Sequence, residues 1–385
     1  MRTSIRHLRL WGIALLGMLM VTACGSDSVE GNPYYLTGDM ITMVTETGNM
    51  YYLKNSDGTV SLTYNRSNPM HLSVDNKAVL TDYQGVVTVP SSITAGDQTF
   101  AVTGITANAF QNNTLLTKVN IPEGVTSIGE MAFYNCPLLT EVNIPEGVMA
   151  LPDYCFSGCK ALTTLTLPSH MTSISKTALK NCSKLTELHI PEGVTELPDS
   201  CLYGLSRMTV LTLPEGLTTL GTNCLNGCSG LTKLTLPKSL TTIKRLAFTS
   251  CSKLTDIAIP EGVTALPDSV FVGCSALLTV YLPESMTTLA PLAFAGCRSM
   301  IEITLPVALT DIGEKCFYSN DAKTGESNWK NFTLYVKWET PPVLTGSITN
   351  AYQRRRVVVP KGCRDAYLAA DYWNEFTQIM EKNYQ

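Results

Sequence analysis

The sequence predicts a solenoid of about ten 23-residue coils, built from short parallel strands, turns and short helical segments. It adds a β-rich cap at the N-terminal end and an α/β cap at the C-terminal end. Three observations carry the prediction. Pro122, Pro145, Pro168, Pro191, Pro214, Pro237, Pro260, Pro283 and Pro306 follow one another at intervals of 23 residues, and a fixed period in the twenties marks stacked repeats. Apolar residues keep the same step ahead of each proline, as in Leu139, Val142 and Ile144, or Leu185, Leu188 and Ile190, or Leu231, Leu234 and Leu236. Ten residues after each proline a small side chain precedes a large one (Ala132-Phe133, Cys155-Phe156, Ala247-Phe248, Ala293-Phe294, Cys316-Phe317), and counting from Ala109-Phe110 gives ten coils.

Each column has a physical meaning. The two apolar residues before the proline alternate, so they point to one face of a short strand. Proline donates no ladder hydrogen bond and marks the strand's end. Gly124, Gly147, Gly193, Gly216 and Gly262 follow two residues later and suit a turn at positive φ. A second apolar pair comes next, such as Val148 and Leu151 or Val194 and Leu197. The small–large pair is expected on a short helical or 3₁₀ turn, with the ring filling the core. A single coil buries too little to offset the entropy of ordering its backbone, so neighbours must share a common interior and the ends need caps.

Composition agrees. The 385 residues are 44% apolar, enough for a core, and the 28 Lys+Arg against 32 Asp+Glu leave a net charge of −4. That balance excludes bulk disorder and gives no basis for binding nucleic acid.

The N-terminus reads as an export signal. Arg2, Arg6 and Arg9 precede an apolar run from Leu10 to Val21, too short for a membrane span and ending in small residues. The segment Val21-Thr22-Ala23-Cys24 resembles a bacterial lipobox, with Val in place of the commoner Leu. The resemblance implies cleavage after Ala23, lipid on the Cys24 sulfur and anchoring to the outer membrane at the cell surface, since several acyl chains hold firmly where one does not. Loss of residues 1–23 removes three arginines and no acid, shifting the charge to −7. Residues 24–32 read as a flexible tether.

Residues 33–98 read as the β-rich cap: apolar stretches around Tyr51-Tyr52 and Val60 to Tyr64 flank Asp57-Gly58, a hairpin signal. Val86 to Pro90 is a degenerate first strand leading through Phe100-Ala101-Val102 into the array, residues 99–320. In the C-terminal cap, residues 321–385, Val357 to Gly362 repeats the strand–proline pattern. Asp365 to Glu381, with Ala366, Tyr367, Trp373 and Phe376, reads as an amphipathic helix, and residues 319–330 form a polar loop holding Trp329.

The composite I-P-E-G-V-T-x-I-G-x-x-A-F-x-x-C-x-x-L-T-x-V, nearly intact from Ile121 to Val142, resembles the BspA-type leucine-rich repeat family. The resemblance implies a leucine-rich repeat solenoid in a bacterial surface protein, some relatives being adhesins. The Asn or Cys usual after the strand in general leucine-rich repeats is absent here.

Little else suggests chemistry. Cys136, Cys159, Cys182, Cys228, Cys251, Cys274 and Cys297 share one column with Leu205, while Cys155, Cys201, Cys224 and Cys316 share another with Ala and Val. Columns that accept such substitutes want a small apolar body, so reduced buried thiols are expected. The C-x₃-C pairs lack the further ligands of a zinc site. Thr126, Thr172, Thr195, Thr218, Thr241, Thr264, Thr287 and Thr310 form a column broken by Met149, as β-branched residues on a strand do. No hydrolase, P-loop or dinucleotide motif occurs, so no catalytic residue, metal or cofactor is expected. His170, at a turn-glycine position, and His189, on an outward strand position, are expected in solvent. Arg354-Arg355-Arg356 reads as a solvated flank. Asp27-Ser28-Val29 and Asp268-Ser269-Val270 resemble a short O-glycosylation motif of Bacteroides-type bacteria.

The candidate ligand face is the set of outward strand positions. Glu141, Glu187, Lys233, Asp256 and Glu302 stand in one column, Asn143, His189 and Tyr281 in its companion. A polar face with one aromatic suggests modest affinity or avidity, while the family resemblance implies a protein ligand from host or bacterial surfaces. A solvated face with binding in the caps is the other placement. The alternative is a glycan-binding accessory lipoprotein using Trp329, Trp338 and Tyr281.

Overall fold

A computed structural model describes residues 34–37, 40–45, 48–64, 83–318, 332–349 and 356–384. The export segment, Cys24, the tether with Asp27-Ser28-Val29, His71, Trp329, and Arg354 and Arg355 lie outside the described residues.

The array is a β-solenoid of about eleven turns at 23-residue spacing. Most coils contribute a short strand of three residues, for example Glu141–Asn143, Thr164–Thr166 and Glu187–His189, and the coil of Lys233 a single bridge to Asp256. The outer residues are exposed and the central one is buried. Register between coils is set by the repeat itself: Glu141 lies opposite Thr164 and Glu187 opposite Val210, each 23 residues on. A second row of two-residue strands, such as Ala150–Leu151 and Ser173–Ile174, runs along another side of the coil.

The prolines end the strands as expected and also act as acceptors. The carbonyl of Pro122 takes the N–H of Val125 at 3.1 Å, and all nine prolines repeat this bond within their own turn. The glycine in the turn is outside the left-handed region, however, so the expected positive φ is not what selects it. A Cβ on Gly193 would come to 2.7 Å from the carbonyl oxygen of Met171, and one on Gly262 to 2.9 Å from that of Leu240. Close approach between coils is the reason at these two, whereas Gly124 and Gly216 have room for a Cβ and His170, Ser239 and Ser285 stand in the same column. Positive φ occurs instead at two later columns. One holds Asn112, Asn135, Gly158, Asn181, Gly204 and their successors; the other holds non-glycine residues such as Met131 (φ 54°) and Tyr154 (φ 57°).

These left-handed residues turn their N–H toward the next coil, Met131 to Asp153 at 3.1 Å and Ser200 to Thr222 at 2.9 Å. Elsewhere the donation runs backward, Thr140 to Thr117 at 2.9 Å. Bonds in both senses satisfy backbone groups that a lone coil would leave bare. The small–large pairs lie on hydrogen-bonded turns between these bonds.

The interior is one continuous cluster. Phe110, Phe133 and Phe156 stack at 5.0 and 4.9 Å. Phe248, Phe271, Phe294 and Phe317 stack at 5.0, 5.5 and 5.5 Å. Leu179, Leu202 and Leu225 fill the same column between the two stacks, fully buried.

At the N-terminal end, strands β1 (Tyr34–Thr37), β2 (Met40–Thr45), β3 (Gly48–Lys54) and β4 (Val60–Thr63) form an antiparallel meander. The β3–β4 connection turns at Asp57-Gly58, where Gly58 has φ 83°. Strand β5 (Gly85–Thr88) pairs in parallel with Leu116–Asn120, Val87 opposite Val119, as the degenerate first strand should.

At the C-terminal end the sequence reading needs one correction. The helix covers only Arg364–Ala369. The chain then turns through Tyr372 at φ 63° and ends in the strand Gln378–Lys382, which pairs in parallel with Arg356–Pro360. Trp373 and Phe376 are buried in that turn, where they complete an aromatic cluster with Tyr367 and Trp338. Period 3.6 could be traced through those aromatics, but pairing with the open edge of the last coil satisfies more backbone than an isolated helix would.

Candidate functional site: the outward strand face

All eleven array cysteines are free and buried, and Cys363 is half-buried. Those of the longer column also donate. Cys136 Sγ lies 3.0 Å from the carbonyl oxygen of Phe110, Cys159 3.1 Å from that of Phe133, and Cys274 3.1 Å from that of Phe248. Each thiol thus reaches back to the carbonyl of a core residue in the coil before. In the first coil the same place is held by Asn113, whose side-chain N–H₂ donates to the Tyr83 carbonyl at 2.7 Å. The column therefore selects a compact donor as well as a small body, and Leu205 forgoes the bond. Cys201 and Cys224 approach to 3.7 Å, well beyond a bonded S–S distance. In native protein a maleimide should modify Cys363 rapidly and leave the eleven array thiols untouched. After denaturation without reductant all twelve should react, as read by intact mass; a count near zero would mean disulfides.

The threonine column is a second ladder. Thr218 Oγ1 donates to the carbonyl of Thr195 at 3.1 Å and Thr287 to that of Thr264 at 3.0 Å. A parallel one, not noticed from sequence, joins Thr140 to Thr117 and Thr255 to Thr232 at 3.0 and 3.2 Å.

The outward face is polar and largely self-paired in its first half. Lys118 and Glu141 meet at 2.8 Å, an exposed pair of small energetic weight. Asn143 spends both ends of its amide on Ile121, accepting its N–H at 3.0 Å and donating to its carbonyl at 2.8 Å. That side chain closes a strand end.

His189 bridges Glu187 Oε1 at 2.8 Å and Thr212 Oγ1 at 2.9 Å. Hydroxyl, imidazole and carboxylate follow one another, but His189 is 63% exposed and Glu187 59%. Nothing encloses them to exclude water, so the arrangement is a polar seam between coils. His170 is exposed.

Lys233, Asp256, Tyr281 and Glu302 continue the face, all exposed. Asp256 accepts from Thr255 at 2.6 Å, Tyr281 is 61% exposed, and the Glu302 carboxylate has no hydrogen-bonding or ionic partner among the described residues. Beyond Glu302 the row passes through Thr333 to Arg356, whose Nε donates to Gln378 at 3.0 Å. The companion row passes from Thr304 to Tyr335. Tyr335 was missed in the sequence because it follows Thr304 by 31 residues, the extra eight coming from the loop after Phe317.

The strand ladder along this face is interrupted. Pairing stops between Thr164–Thr166 and Glu187–His189, between Val210–Thr212 and the Lys233 row, and between Thr279–Tyr281 and Glu302–Leu305. Each interruption is a shallow groove, of about 210, 390 and 170 Å³ respectively. The third is lined by Tyr281, Glu284, Glu302 and Thr304.

Two candidates are closed off. Trp338 is 9% exposed, and its Nε1–H donates to the Val307 carbonyl at 3.0 Å, so it offers no stacking surface to a glycan. Ser269 is 8% exposed and donates to Asp268 at 2.8 Å, so the array copy of the glycosylation motif is inaccessible. No cluster of potential metal ligands occurs among the described residues. No helix among them is long and apolar enough to cross a membrane.

The model of the BspA type leucine rich repeat region matches residues 103–232 and 195–323, in six copies. The chain belongs to this family. No curated protein matches it. Several solved bacterial proteins are similar to it. A leucine-rich repeat protein from Bacteroides ovatus is 23% identical, with 91% of this chain and all of that one covered, at a TM-score of 0.44. A leucine rich cell surface protein from Faecalibacterium prausnitzii is 20% identical, covering 94% and 97%, at 0.45. The pneumococcal vaccine antigen PcpA is 17% identical, covering 89% and 99%, at 0.48.

Proposed function

We propose that this protein is a non-catalytic binding scaffold on the bacterial surface, anchored to the outer membrane by lipid on Cys24. Its solenoid face adheres to proteins of host or bacterial surfaces. The observation that carries the reading is the outward face itself. A rigid interior holds rows of exposed side chains in fixed register over the array, and the face opens into grooves at three places. Family membership supports a repeat scaffold, and surface association is a property of BspA-type proteins. The lipobox-like Val21-Thr22-Ala23-Cys24 supports the anchor.

Full-length protein, immobilised and exposed to host and bacterial surface extracts, should retain a protein. A variant with Glu187, Asp256, Tyr281 and Glu302 all changed to alanine should lose most of that retention, since the side chains are exposed and their removal leaves the core intact. Retention unchanged by the four substitutions would move binding off this face. A blank capture with strong glycan-array binding would favour the carbohydrate reading. In cells, Cys24→Ala should abolish palmitate labelling.

A further inference from the structure

On the reading above, we propose that the groove between the Tyr281 and Glu302 rows is a docking site for a cationic side chain, arginine or lysine, carried on an extended segment of the protein partner. Three observations converge. Tyr281 is the most exposed aromatic side chain of the array, and its ring borders a groove of about 170 Å³ whose opposite wall carries Glu302. Glu302 is an exposed carboxylate with no hydrogen-bonding or ionic partner among the described residues, whereas Glu141 and Glu187 on the same face are paired.

The chain's own lysines satisfy the same chemistry beside the groove. Lys337 sits on Glu284, a third groove residue, at 2.7 Å. Lys382 lies over the ring of Tyr335, which belongs to the same outward column as Tyr281, at 5.6 Å. Ammonium on carboxylate and ammonium over tyrosine are thus each realised internally. Tyr281 and Glu302 bring both acceptors to one groove, with no cation of the described residues placed on either.

A cation there gains the ring's quadrupole and the carboxylate together. Arginine fits this pair best, because its planar group stacks on the ring while forking onto the carboxylate. A neutral sugar would use the ring and leave the carboxylate unmatched.

The test uses the full-length chain labelled with [ε-¹³C]tyrosine, with the Tyr281 resonance identified by its loss in Tyr281→Phe. The probes are acetyl-Gly-Ser-Arg-Ser-Gly-amide, its lysine counterpart and its citrulline counterpart. The Tyr281 resonance should move with the two cationic peptides and stay put with citrulline. Glu302→Gln should weaken the response about five-fold, in the range of one exposed charge interaction. Glu123→Gln, which removes the same charge at the other end of the array, should change it less than about two-fold. Equal movement with citrulline, equal loss in Glu123→Gln, no movement at all, or a larger response to maltoheptaose would each overturn the site. A captured protein whose retention ignores both Tyr281→Ala and Glu302→Gln would also overturn it while leaving the scaffold standing. Failure of capture altogether would instead remove the scaffold reading.

Discussion

Raising the pH above about 9 is expected to unfold this protein steeply. Burial holds nine array thiols protonated well into the alkaline range: Cys136, Cys155, Cys182, Cys224, Cys228, Cys251, Cys274, Cys297 and Cys316 all have raised pKa values. Desolvation is the leading cause for eight of them. For Cys251 the hydrogen bond with Cys274 comes first and burial second. The sign follows from linkage. A group whose folded pKa lies above its unfolded value, about 8.5 for a thiol, contributes its full stability below the unfolded value and loses it as pH rises. Between the two values each thiol removes roughly 1.4 kcal/mol per pH unit, because the unfolded chain releases a proton that the folded one keeps. These contributions act in the same direction, so the loss is steep against the marginal stability of an ordinary domain. Urea midpoints measured from pH 7 to 10.5 should be flat at first and then fall abruptly. Replacing Cys155, Cys224 and Cys316 by alanine, which other coils already carry in that column, should make the fall shallower. A stability independent of pH up to 10.5 would contradict the buried-thiol account.

Phe271→Ala should lower stability by about 3–5 kcal/mol, the range for emptying a buried ring site. The ring is fully buried and stacks on Phe248 at 5.0 Å and on Phe294 at 5.5 Å, so the lesion removes contact with both neighbours. In a solenoid each coil is held by the coils beside it. A cavity at this position therefore weakens the link between the middle of the array and everything after it. Trp338 and Trp373 lie in the C-terminal cap and are buried there, so tryptophan fluorescence reports that end while far-ultraviolet dichroism reports the whole. The two probes should give one transition in the wild type and separate in Phe271→Ala. Phe271→Leu should cost less than about 1.5 kcal/mol, because Leu179, Leu202 and Leu225 already fill that column. An alanine variant within 1 kcal/mol of wild type, with coincident probes, would sink the common interior.

The legibility of this chain varied with distance from the repeat. Inside the array the period alone placed Val142, Phe133 and Leu151 in the core and Glu141 and Asn143 outside, since a fixed step puts equivalent residues in equivalent surroundings. Outside it, Asp365 to Glu381 was read as one helix, although only Arg364–Ala369 is helical and Gln378–Lys382 is a strand. Local pattern could not show that the last coil offered an open strand edge. The face was legible as a set of positions but not as a site. Nothing in the residue string distinguishes Asn143, committed to the Ile121 backbone, from Glu302, which is not committed.

By itself the sequence determined the 23-residue stack, the identity of its core columns and the family, because periodic apolar residues can be buried together only by stacking. Tertiary structure alone decided which polar residues pair with each other, where the strand ladder opens, that Trp338 is interior and that Tyr335 joins the column of Tyr281. Those outcomes depend on distances between coils, and a period fixes the order of the coils without fixing how closely each pair is joined.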